Sequence, residues 1–331
     1  MRSIRSDTRA LVPGVAVVFL ALLGWGTLPA DLAAQAGTVS AITQQAPLTF
    51  RSRADAVVLT VSVQRRGRPV TDLRADDFRV TDNGVAQQIA NFSYETLPID
   101  VTVVLDVSAS VTGRVLEDLQ RAIGQLRSDL RDEDRLKLVT FNMRVRRQVD
   151  FTRSAAAVDE GFGAIRTFGS SAVLDALAVA LASPAPEDRR QLIVLFSDGE
   201  DSSSITEPGV LLDIARRTTP TLTVALASAP TVRTNVQVTP GFLGSLRSAS
   251  QVALMRRDLY RALAAETGGS LLPVLARDNL TSTFRRILDD FRSSYVLHFV
   301  PAGVTPGGVH TLDVQVNREG VDVRTRTEYE W

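Results

Sequence analysis

Val103-Val-Leu-Asp-Val-Ser-Ala-Ser110 is an apolar run that ends in alternate oxygen-bearing side chains. At the end of an extended segment, residues i, i+2 and i+4 point the same way, so Asp106, Ser108 and Ser110 can converge on one point. A second apolar run, Gln191-Leu-Ile-Val-Leu-Phe-Ser-Asp198, also closes on an aspartate. Between them, Phe168-Gly-Ser-Ser-Ala-Val-Leu-Asp175 places Ser171 behind a glycine at the start of an apolar helical stretch. Continuous apolar runs bounded by turn residues mark strands covered on both faces.

Working outward, strands and helices alternate. The strand at 100–106 leads into Val115–Leu126, where Val115, Leu119, Ala122, Ile123 and Leu126 recur at helical spacing. Leu136–Phe141 and Val145–Phe151 are expected strands, Ser171–Leu181 a mostly buried helix, and 191–196 and 221–227 further strands. A last helix over 278–293 carries Leu280, Phe284, Ile287, Leu288 and Phe291 on one stripe, with Asp278 as its expected cap. This alternation predicts an α/β fold with a doubly wound, mostly parallel central sheet, and a ligand site beyond the carboxyl ends of its strands.

Both flanks have β character. Val57, Leu59, Val61 and Val63 alternate with mainly polar residues. Phe78-Arg-Val80 and Ile89–Phe92 flank Asp82-Asn-Gly84, a hairpin signal. Tyr295–Val300 is a strand; Leu312, Val314 and Val316 alternate in another, and Val321 and Val323 are expected to continue it as a hairpin after Asn317–Gly320. We therefore expect antiparallel segments at 53–97 and 295–331 to form one small β-sandwich, with the domain at 98–294 inserted between them. The long irregular stretch 229–253, rich in Ser, Thr, Pro, Gly and Arg, follows a strand whose end faces the expected site and is a candidate for specificity.

Composition narrows the function. Lys+Arg and Asp+Glu are each 37 in 331 residues, and 36 of the basic residues are arginine, Lys137 being the lone lysine. That balance gives no sign of a nucleic-acid surface. There is no cysteine, which excludes disulfides, thiolate metal sites and a cysteine nucleophile. Arg2, Arg5 and Arg9 precede the apolar stretch Leu11–Leu28, and Ala34-Gln-Ala36 offers small residues for cleavage. Residues 1–36 thus have the pattern of a secretory signal peptide and 37–52 that of a flexible leader, which implies a secreted or periplasmic protein. An uncleaved N-terminal membrane anchor is the alternative, weakened by Pro13, Gly14, Gly24 and Gly26.

The expected metal site is Asp106, Ser108, Ser110, Ser171 and Asp198. Neutral hydroxyls with two carboxylates suit Mg2+, with Mn2+ or Ca2+ as alternatives, and leave room for a further anionic ligand or water. Zinc is disfavoured, since His298 and His310 both lie in the tail. Ser108 and Ser110 have an alternative use as turn formers or as caps for the helix near Arg114. Glu200 and Asp201 read as supporting or solvated carboxylates, Asp175 as an anchor for loops, and His298 and His310 as structural.

Asp106-Val-Ser-Ala-Ser110 matches the Asp-x-Ser-x-Ser signature of the von Willebrand factor A family, which this chain resembles over about residues 98 to 294 by order of motifs. Ser171 stands where that family usually has threonine, and Asp198 matches its later aspartate. The flanks are similar to those of a bacterial secreted group of such proteins, through Arg66-Gly-Arg-Pro-Val70, Asp76-Asp-Phe78, Asp82-Asn-Gly84 and the Tyr295 strand. The resemblance implies a metal-ion-dependent adhesion site, with Ser108, Ser110 and Ser171 binding through hydroxyls and the aspartates often through water. Serine keeps the hydroxyl at 171 but lacks the methyl that restricts its rotamer.

The expected function is a binding module, not an enzyme. Its cation accepts an Asp or Glu carboxylate from a protein partner, with no nucleic acid and no small-molecule substrate. A structural or assembly role in the envelope, with metal serving folding alone, is the alternative. A metal-assisted hydrolase is a further one; Glu200 or Asp201 would serve as its base, without a nearby histidine or a Gly-x-Ser-x-Gly elbow.

Overall fold

Ile99–Asp106 is buried at every position, as a strand must be when helices cover both faces of its sheet. In the computed structural model, which describes residues 56–94, 96–111, 113–186, 188–227, 256–275 and 278–331, this strand is central to a six-stranded sheet. In chain order the strands are β1 (Val57–Arg65), β2 (Arg68–Pro69), β3 (Phe78–Asp82), β4 (Val85–Gln87), β5 (Ile89–Tyr94), β6 (Ile99–Asp106), β7 (Arg135–Phe141), β8 (Val145–Thr152), β9 (Arg190–Ser197), β10 (Thr221–Ala227), β11 (Ser270–Val274), β12 (Tyr295–Phe299), β13 (Val309–Val316), β14 (Asp322–Arg324) and β15 (Glu328–Glu330). The helices are α1 (Arg114–Ser128), α2 (Ala155–Gly163), α3 (Val173–Leu181), α4 (Pro208–Arg217), α5 (256–266) and α6 (Leu280–Arg292).

The large sheet runs β11-β10-β9-β6-β7-β8 and is parallel except for β8. Alternate residues of β6 face opposite layers. Val101, Val103 and Leu105 pack with α1, α2 and α6, while Val104 packs with α3, α4 and α5. The sheet is thus wound on both faces. The chain leaves β6 for β7 on one side and returns to β9 on the other, so the carboxyl ends of β6 and β9 flank the point where strand order reverses. Crevices at that point are where open α/β sheets bind ligands.

Two smaller sheets are built from both flanks. One runs β14-β1-β12-β5 with β2 beside β1, the other β15-β13-β3-β4. They share one apolar core, in which Leu59, Val61, Tyr295 and Leu297 meet Phe78, Val80, Leu312 and Tyr329. The Tyr295 hydroxyl donates to the Val70 carbonyl at 2.9 Å and accepts from Leu73 N–H, so this buried phenol is hydrogen-bonded at both ends. Asp290 on α6 accepts from Ser62 at 3.1 Å and from Gln64 and Arg324, tying the helix to these strands.

Two pairings differ from expectation. Asn83 and Gly84 do form the tight turn, both at positive φ, but it joins β3 to β4. Ile89–Tyr94 crosses to the other sheet and pairs with β12. Likewise β14 pairs with β1, and β13 lies between β15 and β3, so 309–324 is not a hairpin. A turn signal fixes where the chain reverses; the partner of the next strand is set by which sheet can bury its apolar face. The cap of α6 is Asn279, accepting from Ser282 N–H at 3.2 Å, whereas Asp278 accepts from Leu275 N–H at 2.8 Å. The signal and leader segments (1–36 and 37–52) and the stretch 229–253 lie outside the described residues.

Candidate metal centre

The adjacent parallel strands β6 and β9 end at Asp106 and Ser197, and both side chains are fully buried. Beyond Asp106 the chain bends because its Oδ1 accepts the Ser108 backbone N–H at 2.9 Å, a local turn typical of aspartate. That bend brings Ser108 and Ser110 together, their Oγ atoms 3.0 Å apart. Ser110 Oγ donates to Asp198 Oδ2 at 3.0 Å. From a third segment, Ser171 Oγ lies 3.3 and 3.2 Å from the two oxygens of Asp106. All five residues read from the sequence therefore come together at the carboxyl edge of the sheet. Neither serine caps α1, whose cap position is Gly113, with no side-chain cap.

Backbone contacts fix the three segments against one another. Gly169, at φ +75°, presents its carbonyl to Ala109 N–H at 3.0 Å, a left-handed conformation that favours glycine. The Ser171 carbonyl accepts from Ser202 and Ser203 N–H at 2.9 and 3.0 Å. Asp198 Oδ1 accepts from Glu200 N–H at 2.9 Å, which orients the carboxylate.

One contributor was not singled out in the sequence. Ser197 Oγ donates to Asp106 Oδ2 at 2.8 Å and accepts from Gly199 N–H at 3.0 Å. Its only sequence signal is its position at the end of the apolar run beside Asp198. The neighbouring acids have other work. Asp201 accepts from Val173 N–H at 2.8 Å and from Ser204, at the start of α3. Asp175 accepts from Ile205 N–H and from both donors of Thr206, which anchors that loop. Glu200 is largely exposed, 4.0 Å from Arg256. His310 is buried against Asp82 at 2.8 Å, far along the chain in the smaller sheets.

Burial pushes the Asp106 carboxyl above its ordinary range; hydrogen bonds from Ser108 and Ser197 oppose this, and the nearby Asp198 adds to it. A buried carboxylate beside a second carboxylate, with only hydroxyls and amides around it, is short of positive charge. The donor set is all oxygen. Among the described residues no three His, Asp or Glu side chains gather as a metal site, so the hydroxyls distinguish this cluster from an acidic cage. These donors fit a hard dication.

Residues 101–200 match the family model of the von Willebrand factor type A domain. The chain carries a von Willebrand factor type A domain. An uncharacterized protein of Synechocystis sp. is 26% identical over 195 residues, which are 58% of this chain and 41% of that protein. The match to this curated relative thus spans about two fifths of the relative's length. Among solved structures, a von Willebrand factor type A protein of Catenulispora acidiphila is similar at 13% identity, with 85% of this chain and 75% of that one covered and a TM-score of 0.44. BatB of Bacteroides thetaiotaomicron is similar at 17% identity, with 59% and 100% covered and a TM-score of 0.42. The matched stretch of the type A domain begins in β6 and ends just beyond Asp198. No helix among the described residues is long and apolar enough to cross a membrane.

Proposed function

We propose that this chain is an extracytoplasmic, metal-dependent protein-binding module. Asp106, Ser108, Ser110, Ser171 and Asp198 would hold a divalent cation, Mg2+ by preference. The observation that carries this is the linked set of oxygens, from Ser171 through Asp106 and from Ser108 through Ser110 to Asp198, at the switch point of the sheet. Von Willebrand factor type A domains as a family mediate metal-dependent protein interactions, which supports the same reading. When bound, the cation supplies a Lewis-acidic position for a partner's Asp or Glu carboxylate. Two aspartates balance a dication's charge without closing its coordination sphere.

Export rests on the N-terminal pattern of Arg2, Arg5 and Arg9 before Leu11–Leu28. The reading assigns no catalytic residue. In its support, Asp201 and Asp175 are occupied by backbone and hydroxyl donors, and Glu200 faces solvent. We also read 53–97 and 295–331 as one β-sandwich domain, with the type A domain over 98–294 inserted into it; the core shared by the two smaller sheets supports this.

The test compares partner capture from envelope extract in Mg2+, in chelator, and with Asp106→Ala. Capture in Mg2+ alone by the wild type is expected. Equal capture in all three would sink the reading.

A further inference from the structure

We propose that two copies of this chain associate through β5, the antiparallel self-pairing of Ile89–Tyr94 joining one of the smaller sheets from each copy into a single sheet. This inference does not rest on the function proposed above; it adds a second copy of the chain as a partner.

An edge strand offers every other N–H and C=O to whatever strand comes alongside, so folded proteins blunt their edges with charge, proline, shortness or a covering element. Among the described residues the three sheets have two edges each, and all but one are blunted. β11 carries Pro273. β8 carries Arg146, Arg147 and Asp150 and slips from regular register against β7. β15 is three residues long, and Arg217 and Arg216 of α4 hold its Glu330 and Glu328. β4 is equally short, and its Gln87 side chain bonds both the N–H and the carbonyl of Ala302 beside it. β14 spans only Asp322–Arg324, charged at both ends, with Arg324 tied to Asp290.

The remaining edge, β5, has none of these devices along most of its length. Ile89-Ala-Asn-Phe-Ser-Tyr94 contains no charge and no proline, and it pairs with β12 alone. A bulge opposite Phe299 is confined to its first residues, and Asn91–Tyr94 follow in regular register. Among the described residues no other segment bonds to the backbone of 89–93. Ala90 and Asn91 are exposed. Phe92 is half-buried, its ring 5.8 Å from that of Phe78 and 5.5 Å from that of Tyr295. The aromatic core shared by the smaller sheets thus runs out to an open strand.

The occupant that fits is a strand that is itself uncharged, has an open edge of its own and brings an aromatic ring beside Phe92. A second β5 has all three properties and is present wherever the first is. Antiparallel self-pairing is two-fold symmetric, so the same residues serve on both copies and the contact closes at two. Side chains alternate, so Asn91 and Ser93 of each copy share the outer face of the joined sheet. Phe92 lies on the core face, where aromatic cross-strand pairs are stabilising.

The test is sedimentation equilibrium on the full chain. The wild type should be dimeric at about 100 µM and dissociate on dilution. The double variant Ala90→Lys, Asn91→Lys changes two exposed positions and sets like charges against each other across the two-fold. It should weaken association by about tenfold or more, with an unchanged far-UV circular dichroism spectrum. Ala90→Glu, Asn91→Glu alone should do the same. Mixing the lysine and glutamate variants should restore the dimer, as a heterodimer, which no other occupant of this edge predicts. Because the chain has no cysteine, a single Asn91→Cys gives a second reading. A short bis-maleimide should join two copies at that position, but not at Val179→Cys on the exposed side of α3. A wild type that stays monomeric overturns the proposal, as it would if another protein's strand or a segment of the same chain took the edge. So does a dimer indifferent to the lysines, or charged variants that fail to recombine.

Discussion

Ser197 Oγ donates to Asp106 Oδ2 at 2.8 Å, joining the ends of the two central parallel strands by their side chains. Both residues are fully buried, so this bond is made out of reach of water. Asp106 sits in an environment that resists its charge. Ser197, which is not among the expected ligands, and the backbone amide of Ser108 hold that charge in one orientation before any cation arrives, which is preorganisation of the ligand by its neighbours.

Ser197→Ala should therefore weaken Mg2+ binding without removing a ligand. A hydrogen bond to a charged group is worth roughly 1.5–3 kcal/mol, so the loss should be on the order of tenfold or more. Titration calorimetry on the full chain reads this directly. An unchanged Mg2+ affinity would show that Asp106 is positioned by its backbone alone.

Ser171→Thr should strengthen Mg2+ binding by about two- to threefold, because a β-branched side chain loses less rotamer freedom on fixing its hydroxyl. Ser171 is buried, so its surroundings must also admit the methyl. A rise in affinity with an unchanged Tm supports the rotamer argument. A fall in both would show that the site is packed for serine.

Much of this centre was legible because its chemistry is local. Asp106, Ser108 and Ser110 alternate along one strand end, and Asp198 closes another apolar run. The α/β alternation was legible for the same reason, through the all-buried β6 and the striped α1 and α6. What stayed hidden depends on distant choices. The entry into β5 from β4 takes a neighbouring pair of strands into different sheets, which no turn signal encodes. Helix α4 opens on Pro208-Gly209, which reads as a turn although proline suits a first helical turn. Strand β11 is short and contains Pro273, tolerated because β11 is an edge.

The close approach of β10 to β11 makes a sharper prediction at Gly269. A Cβ there would meet the Leu222 carbonyl oxygen at 1.9 Å and its carbon at 2.5 Å, both backbone atoms of a central layer. Neither can swing aside as a side chain tip would. Gly269→Ala should be among the severe class of substitutions, about 4 kcal/mol or more, and should yield little folded protein. Gly124→Ala, in α1 with open space around it, is the control and should be neutral or slightly stabilising.

Acid should act on the contact between α1 and α6. The Arg285 guanidinium beside Asp129 holds its carboxyl below the ordinary aspartate value of 3.8, aided by Gln125. A carboxyl depressed in the folded state contributes stability that is present above its unfolded value and disappears as pH falls through its folded one. The pair is partly exposed, so the effect is modest and weakens with salt. In Tm measured from neutral pH down through the carboxylate range, Asp129→Asn should be less stable than wild type near neutrality and converge with it in acid. A constant difference across that range would refute the assignment.

The smaller sheets close on a buried cluster that gives the last prediction. Asp82, at the end of β3, has one carboxylate oxygen 2.8 Å from His310 Nδ1, while the other accepts from the Tyr329 hydroxyl at 2.7 Å. All three side chains are buried, and burial with the adjoining Asp82 pushes the Tyr329 phenol far above its ordinary range, so it remains a donor at any physiological pH. Tyr329→Phe keeps the ring packed against Phe299 but leaves a buried carboxylate oxygen without its donor. The expected cost is about 1–3 kcal/mol, seen as a fall of several degrees in Tm. Combining it with Asp82→Asn should cost less than the sum of the two single changes, since the second removes the charge that the first stranded. Mg2+ affinity should not move in any of these variants, because the cluster lies in sheets separate from the strand ends that carry Asp106 and Asp198. A shift in that affinity would show that the C-terminal strand β15 and the metal centre are energetically coupled.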